Sequence, residues 1–508
     1  MEKRLYQEEC IEAIPDSGAH LIVLATGLGK SYVASRVERK GRLLLISHRN
    51  ELVEQPRVYY GDDFGIEQGK QISNGESVVS ASIQTLSRRY SRFQRDAFDF
   101  IVIDEAHHSV AESYKKVIEY FNPRLLLGMT ATPNRGDHVR LDTIYEDIVF
   151  ERDLKWGIKN GYLADIDYIR ANIGFDISRV RVRKGDFYVN ELDSFMNTQP
   201  LNRAIYDVYQ QNAKGKTLIF AVSVSHAEEI ARLIPHAAAI SGKSKNRKQI
   251  IEDFLAGKYR CLVNCSVFTE GVDIPDIETV LIARPTRSIS LYQQMVGRGL
   301  RKSATKEKLN LIDVIGNNYD PEICTAASLI GIDTTGVPAD RQMEIQGNIF
   351  KLQEIVEKIT DTPFRWMNNA AQMRQWADEQ KYDTHGVNYY KMPDGSLVCF
   401  LVDKHIRIPA QDEVGQVFYN GKRVPMQILL NAVYRKLKEN YQDEQAIWNM
   451  DIIQKWGVKK ASTKQIGMIK SKYPDFPVDK LTRAQASQII NRIVYAQKFG
   501  KADNTGTK

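Results

Sequence analysis

A chain of 508 residues has room for roughly two to four domains. Its 70 Lys and Arg against 63 Asp and Glu leave a formal charge of +7, a mild basic excess compatible with a polyanionic partner. No apolar run approaches the length of a membrane span, MEKRLYQEEC is too acidic for a signal peptide, and five scattered cysteines suit a reducing compartment. A cytoplasmic protein without a membrane partner is therefore expected.

The first ordered feature is LIVLATGLGKS, Leu21 to Ser31. Leu21 to Leu24 reads as a buried parallel strand, and YVASRVERK after it reads as a helix. Between them Thr26, Gly27, Leu28, Gly29, Lys30 and Ser31 form a turn of the kind that cradles phosphate. Glycines let successive N–H groups face one anion, and the helix start adds its positive dipole end. Lys30 has the reach for β- and γ-phosphates, and the Ser31 hydroxyl suits Mg²⁺. Leu24 stands where the usual first glycine of such a loop would be.

RLLLISHRNELVEQ (Arg42 to Gln55) and VVSASIQTLSRR (Val78 to Arg89) each read as strand then helix. FDFIVIDEAHHS gives another buried strand, ending in Asp104-Glu105-Ala106-His107, and RLLLGMTATPNR gives one more. Strands alternating with helices imply a doubly wound parallel sheet with its ligands at the carboxyl ends. Two carboxylates at such an end, opposite the Lys30 loop, have a division of labour. Asp104 suits the Mg²⁺ water shell, and Glu105 suits the water that attacks a phosphate.

Residues 153–199 read as a linker with strands or a hairpin, from the alternation in ADIDYIRANIGFDI and RVRVRKGDFYV. The αβ rhythm restarts over 200–335, without a second phosphate loop. Cys261 and Cys265 fall in an apolar strand there and read as buried thiols, not zinc ligands. SLYQQMVGRGLRK (Ser290 to Lys302) reads as a helix with Arg298 and Arg301 on one face. Two guanidinium groups on a second domain can cross a cleft and neutralise a γ-phosphate in the transition state.

ATGLGKS, IVIDEAHHS and MTATP, in this order, resemble motifs I, II and III of superfamily 2 helicases of the DEAH type. QMVGRGLR is similar to motif VI of that group and TEGVD to motif V. The resemblance covers about residues 1 to 335. It implies two tandem RecA-like domains (1–152 and 200–335), ATP and Mg²⁺ as cofactors, and a nucleic-acid partner. It also implies roles for Gln7 in reading adenine, for Gln294 beside the nucleotide, and for Asp273 and Gly271 in bridging nucleotide and strand. Arg49 and Thr85, in stretches similar to motifs Ia and Ib, become strand contacts. For Gln7 an exposed position at a helix start is the competing reading. TEGVDIPD with RPTRSISLYQQMVGRGLR is especially similar to RadD-type and XPB-like DNA repair helicases and to restriction translocases.

A C-terminal α+β extension is expected over 336–455, with hairpin turns at Asp394-Gly395 and Asn420-Gly421. Trp366, Trp376, Trp448 and Trp456 read as core before base-stacking residues. Residues 456–508 read as a small basic helical module, capped at Ser462 or Thr463 and at Thr482. It is similar to short tails on helicases of phages and mobile elements. The whole predicts an ATP-dependent helicase or translocase acting on single-stranded, forked or junction DNA. The alternatives are an RNA helicase and a junction-binding protein with a vestigial ATPase.

Overall fold

The computed structural model describes residues 4–48, 52–131, 141–183, 185–242, 244, 246–265, 276–303, 306–317, 320, 322–332, 334, 337–360, 377, 382–391, 395–401, 405–412, 415–419, 422–442, 445–448 and 459–499. The chain divides into two compact units, one of residues 1–330 with 346–350, the other of 331–345 with 351–508. Among the described residues the first unit contains two seven-stranded sheets and a two-stranded hairpin.

The first sheet has seven strands: β1 Gly18–Leu24, β2 Leu43–Ser47, β3 Phe64–Glu67, β4 Val78–Ser82, β5 Phe100–Asp104, β6 Leu125–Thr130 and β7 Asp147–Arg152, in the order β3-β4-β2-β5-β6-β1-β7. Every pairing is parallel. β2, β4 and β6 are buried at every position, as continuous apolar strands covered on both faces should be. One expected helix is displaced. After β2 the described residues 52–56 form turns, and the next helix is Arg57–Tyr60. Pro56 precedes it at the N-cap, because a proline inside a helix would clash with the preceding turn.

The second sheet runs β12-β13-β11-β14-β15-β8-β16, with β8 Asp165–Asn172, β11 Thr217–Phe220, β12 Ala237–Ser241, β13 Cys261–Cys265, β14 Thr279–Ile282, β15 Lys308–Ile315 and β16 Gly347–Asn348. Only the short edge strand β16 is antiparallel. β8 comes from the stretch between the two αβ blocks and pairs with β15 along its whole length. A small hairpin of β9 Val182–Arg183 and β10 Asp186–Phe187 follows it. Cys261 and Cys265 are buried free thiols, and burial pushes the Cys261 thiol well up.

Beneath the helix Ile289–Gly297 lies a buried polar network. The Tyr292 hydroxyl donates to both oxygens of Asp313 on β15, at 2.9 and 2.7 Å. Arg170 on β8, itself buried, donates to the Tyr168 hydroxyl at 3.1 Å. Burial raises the Asp313 carboxyl to about 6, while Tyr292, Tyr168 and Arg170 hold it down.

The second unit has small antiparallel sheets: β17 Tyr390–Lys391, β18 Leu397–Phe400 and β19 His405–Ile408, and a hairpin of β20 Gln416–Tyr419 with β21 Lys422–Pro425. The helix Met426–Asn440 packs Met426, Leu430 and Leu437 into a core with Val417 and Leu397. Trp448 packs against this core and donates its indole N–H to the Tyr441 carbonyl at 2.9 Å. Trp366, Trp376 and Trp456 lie outside the described residues, as do Asp394 and Asn420-Gly421. Helices Thr463–Lys472 and Arg483–Phe499 start at capping boxes, Ser462 with Gln465 and Thr482 with Gln485. Among the described residues no helix is long and apolar enough to cross a membrane.

Candidate active site

β1 ends at a loop whose conformation requires glycine twice. Gly27 and Gly29 have φ of 91° and 86°, in the left-handed region that side chains disfavour. Space excludes side chains too. A β-carbon on Gly29 would lie 2.6 Å from Gln7 Nε2, and one on Gly27 would lie 2.9 Å from Leu163 Cδ2. The backbone therefore lies bare above the start of the helix Lys30–Arg36. Leu28 is fully buried, and its carbonyl accepts from the Tyr6 hydroxyl at 2.6 Å and from Gln7 Nε2 at 3.2 Å. Gln7, 5 % exposed, is thus built into the loop and is not a solvated helix-start residue.

Lys30 Nζ donates to the Leu24 carbonyl at 3.4 Å and lies 3.9 Å from Glu105 Oε1. Glu105 follows β5 with φ 51° and ψ 56°, a conformation costly for a residue with a side chain. That turn aims a nearly buried carboxylate at Lys30. Its other oxygen lies 3.4 Å from His107 Nδ1, and that nitrogen lies 3.2 Å from Thr130 Oγ1 at the end of β6. Burial pushes Asp104 above the usual carboxylate range, the adjacent Glu105 charge adds to this, and Lys30 opposes it. Asp104 and Ser31 both line one small cleft, together with Ala34, Val102 and Met129. A carboxylate and a hydroxyl are oxygen donors of the kind that fit a hard cation such as Mg²⁺.

The second domain reaches this loop through the segment after the helix Ile289–Gly297. The helix ends earlier than the sequence suggested: Arg298 is its C-cap and Arg301 lies beyond it, so the two do not share a helix face. The cause is local packing. A β-carbon on Gly299 would come within 2.5 Å of Leu309 and 2.8 Å of Val280, so the chain turns tightly onto the sheet. Lys306 Nζ donates to the Gly299 carbonyl, and the Ala164 N–H donates to the Leu300 carbonyl at 2.8 Å. Burial lowers the Lys306 ammonium to about 8, against the pull of Glu278 and Asp276.

Pinned in this way, the segment abuts the phosphate loop. A β-carbon on Gly297 would lie 2.6 Å from Thr26 Cγ2, and one on Gly27 would lie 3.9 Å from Arg301 Cγ. Arg301 is lowered from its ordinary value by burial, with Tyr59 opposing. Gln294 is buried on the same helix. Thr26, Gly27, Lys30, Glu105 and Arg301 therefore share one locale.

Other expected residues fall elsewhere. Thr85 is half-buried on the helix Ile83–Arg89, where its hydroxyl accepts from the Gly69 N–H at 3.1 Å and from Ser82 at 3.0 Å. Arg49, Gly271, Asp273 and Thr132 lie outside the described residues. Sequence reasoning missed an aromatic group behind the loop. The Tyr6 ring packs edge-on against Trp156 at 5.3 Å and Tyr162 at 4.6 Å, and those two stack at 5.3 Å. Trp156 and Tyr162 sit in a stretch with no motif, so only the fold reveals them. Lys306 is likewise silent in sequence, being one of several lysines in a polar turn.

Residues 1–135 match the family described as type III restriction enzyme, res subunit, and residues 200–303 match the helicase conserved C-terminal domain. A putative ATP-dependent helicase, IRC3 of Saccharomyces cerevisiae, is 31 % identical over 424 residues, 74 % of this chain and 61 % of that protein. The DNA 3'-5' translocase XPB2 of Sulfurisphaera tokodaii is 26 % identical over 361 residues, 62 % of this chain and 82 % of that protein. Among solved structures, a fragment of a putative HsdR subunit of a type I restriction enzyme from Vibrio vulnificus YJ016 is similar with a TM-score of 0.50 at 25 % identity. That similarity covers 61 % of this chain and 64 % of the fragment. The chain thus spans less than two thirds of the length of the yeast relative.

Proposed function

This chain belongs to the superfamily 2 helicases, and from that premise we propose that it is an ATP-driven DNA helicase or translocase acting in replication, recombination or repair. The reading is carried by one observation: Gly297 and Arg301 of the second domain abut Thr26 and Gly27 of the phosphate loop.

In this account the amides around Gly27 and Gly29 hold the phosphates of ATP, Lys30 neutralises their outer oxygens, and Gln7 reads the base. Ser31 and Asp104 would hold Mg²⁺, which supplies positive charge to the β- and γ-oxygens. Glu105 orients and deprotonates the attacking water. His107 links Glu105 to Thr130, so a shift at the end of β6 is felt by the base. Arg301, with Arg298 beside it, meets the negative charge that spreads over the γ-phosphoryl group as the bond to the leaving phosphate breaks. Hydrolysis is then tied to apposition of the two domains, and repeated opening and closing moves the protein along a strand. Contacts to DNA are mainly to phosphates, so sequence preference is weak. The five free cysteines support a reducing, cytoplasmic setting.

The test compares hydrolysis stimulated by single-stranded, forked and junction DNA with that by RNA of matched length, in the parent and in Lys30→Ala. The expected result is stimulation by DNA that Lys30→Ala abolishes. Stimulation by RNA equal to that by DNA would overturn the choice of substrate. Stimulated hydrolysis surviving Lys30→Ala would overturn the mechanism.

A further inference from the structure

In the β20–β21 hairpin the last described pair is Tyr419 with Lys422. The hairpin's inner face is anchored: Val417 is fully buried with Met426 and Leu430, and Val424 packs against them. The opposite face holds Phe418 and Arg423, directly across the ladder from each other. Phe418 is 67 % exposed and the neighbouring Tyr419 is 44 % exposed. Lys422 and Arg423 are exposed as well. Both rings are therefore open to a partner at the end of the hairpin.

Each ring faces a cation across the ladder, Arg423 beside Phe418 and Lys422 beside Tyr419, while the carboxylate Asp412 lies at the other end of the strand, bonded to the Gln416 N–H. The two strands themselves, 416–419 and 422–425, carry Lys422 and Arg423 and no Asp or Glu. Rings beside cations match the two surfaces of an unpaired nucleotide, a flat base and an anionic phosphate. A duplex offers the phosphates but keeps its bases stacked inside. We propose that the end of this hairpin is a stacking site for single-stranded DNA, with Phe418 on a base and Arg423, its partner across the ladder, on the adjoining phosphate, and with Tyr419 and Lys422, a second ring and cation pair on the other face of the hairpin end, on the next nucleotide. The inference rests on the DNA-helicase reading above and adds a strand contact outside the two RecA-like domains.

The experiment uses the full chain and measures binding to labelled oligothymidylate, and to a duplex of the same length, across a salt series. Phe418→Ala/Tyr419→Ala should weaken the single strand at least about 30-fold with the salt slope unchanged, and should leave duplex binding alone. Phe418→Trp should keep parental affinity. Lys422→Gln/Arg423→Gln should lower the single-strand salt slope by about 1.4. Hydrolysis without nucleic acid should be parental in every variant. Parental strand binding by the double alanine variant, or equal losses on strand and duplex, would overturn the inference while DNA-stimulated hydrolysis kept the helicase reading intact. A change of oligomeric state without a change in strand binding would make the hairpin a self-association face and overturn it too. A parent chain that binds no DNA would remove both readings.

Discussion

Arg301 lies against Gly27: a β-carbon added to that glycine would come within 3.9 Å of the arginine Cγ. The two residues are far apart in sequence and belong to different sheets. Their approach is fixed from both sides, by the tight turn at Gly299 that Lys306 and Ala164 hold, and by the left-handed loop that Tyr6 and Gln7 brace. The phosphate loop therefore has a ceiling made by the other domain.

That ceiling leaves no space for a methyl group. Gly297→Ala would drive its β-carbon to 2.6 Å from Thr26 Cγ2, so the domains must part by some fraction of an ångström. We expect stimulated kcat to fall ~10- to 100-fold, as misplacement of a catalytic group typically does. The affinity for ATP should hold, because the loop itself is untouched. Steady-state hydrolysis with a separate nucleotide-binding titration checks this, and parental kcat would count against it.

Glu105→Gln keeps the shape of the strained turn but removes the carboxylate proposed as the base. Hydrolysis should drop about 10²- to 10⁴-fold. The Lys30 partner becomes neutral, so ATP should bind at least as tightly as in the parent. Single-turnover hydrolysis measured beside equilibrium binding separates the two effects, and weaker ATP binding would contradict the role given to Glu105.

Asp104 gives a stability prediction with a definite sign. Its carboxyl is raised in the folded protein by burial and by Glu105. The folded state therefore holds a proton that the unfolded state has released, and stability falls as pH rises from about 4 through the folded value. Above that value the full penalty remains. Without nucleotide or metal, Asp104→Asn should melt higher than the parent at pH 8, by roughly 2–4 °C for each kcal/mol relieved, and the gap should close toward pH 4. Added Mg²⁺ should raise the parent more than the variant. A variant that melts lower at pH 8 would refute this.

Tyr292→Phe removes the one hydroxyl proton that is shared between the two oxygens of the buried Asp313 carboxyl. A hydrogen bond to a charged group contributes about 1.5–3 kcal/mol, so urea unfolding should show destabilisation of that order. Because Tyr292 lies on the helix that leads to Arg298, kcat should fall as well. A change below about 0.5 kcal/mol would mean that the network under this helix carries little.

Much of this was legible in sequence because each sheet is made of continuous apolar strands ending in chemically distinctive residues. Lys30, Asp104 and Glu105 follow such strands directly, and a strand end fixes where they lie. Arg298 and Arg301 were found by type and spacing but given the wrong backbone. Helical periodicity continues through GRGLR, whereas close packing of Gly299 on Val280 and Leu309 ends the helix at Gly297. Of the helix expected before Gln55 the described residues 52–55 form turns, and Pro56 stands at the N-cap of the helix that follows. Trp156, Tyr162 and Lys306 act only through neighbours distant in sequence, and no local pattern marks them.

The most direct test of a site shared by two domains is single-turnover hydrolysis of bound ATP by Arg301→Ala in the presence of DNA. The account predicts a rate about 10³- to 10⁵-fold below the parent, with ATP still bound by the Lys30 loop. A rate within tenfold of the parent would show that the first domain hydrolyses ATP without the arginine of the second, and would contradict it.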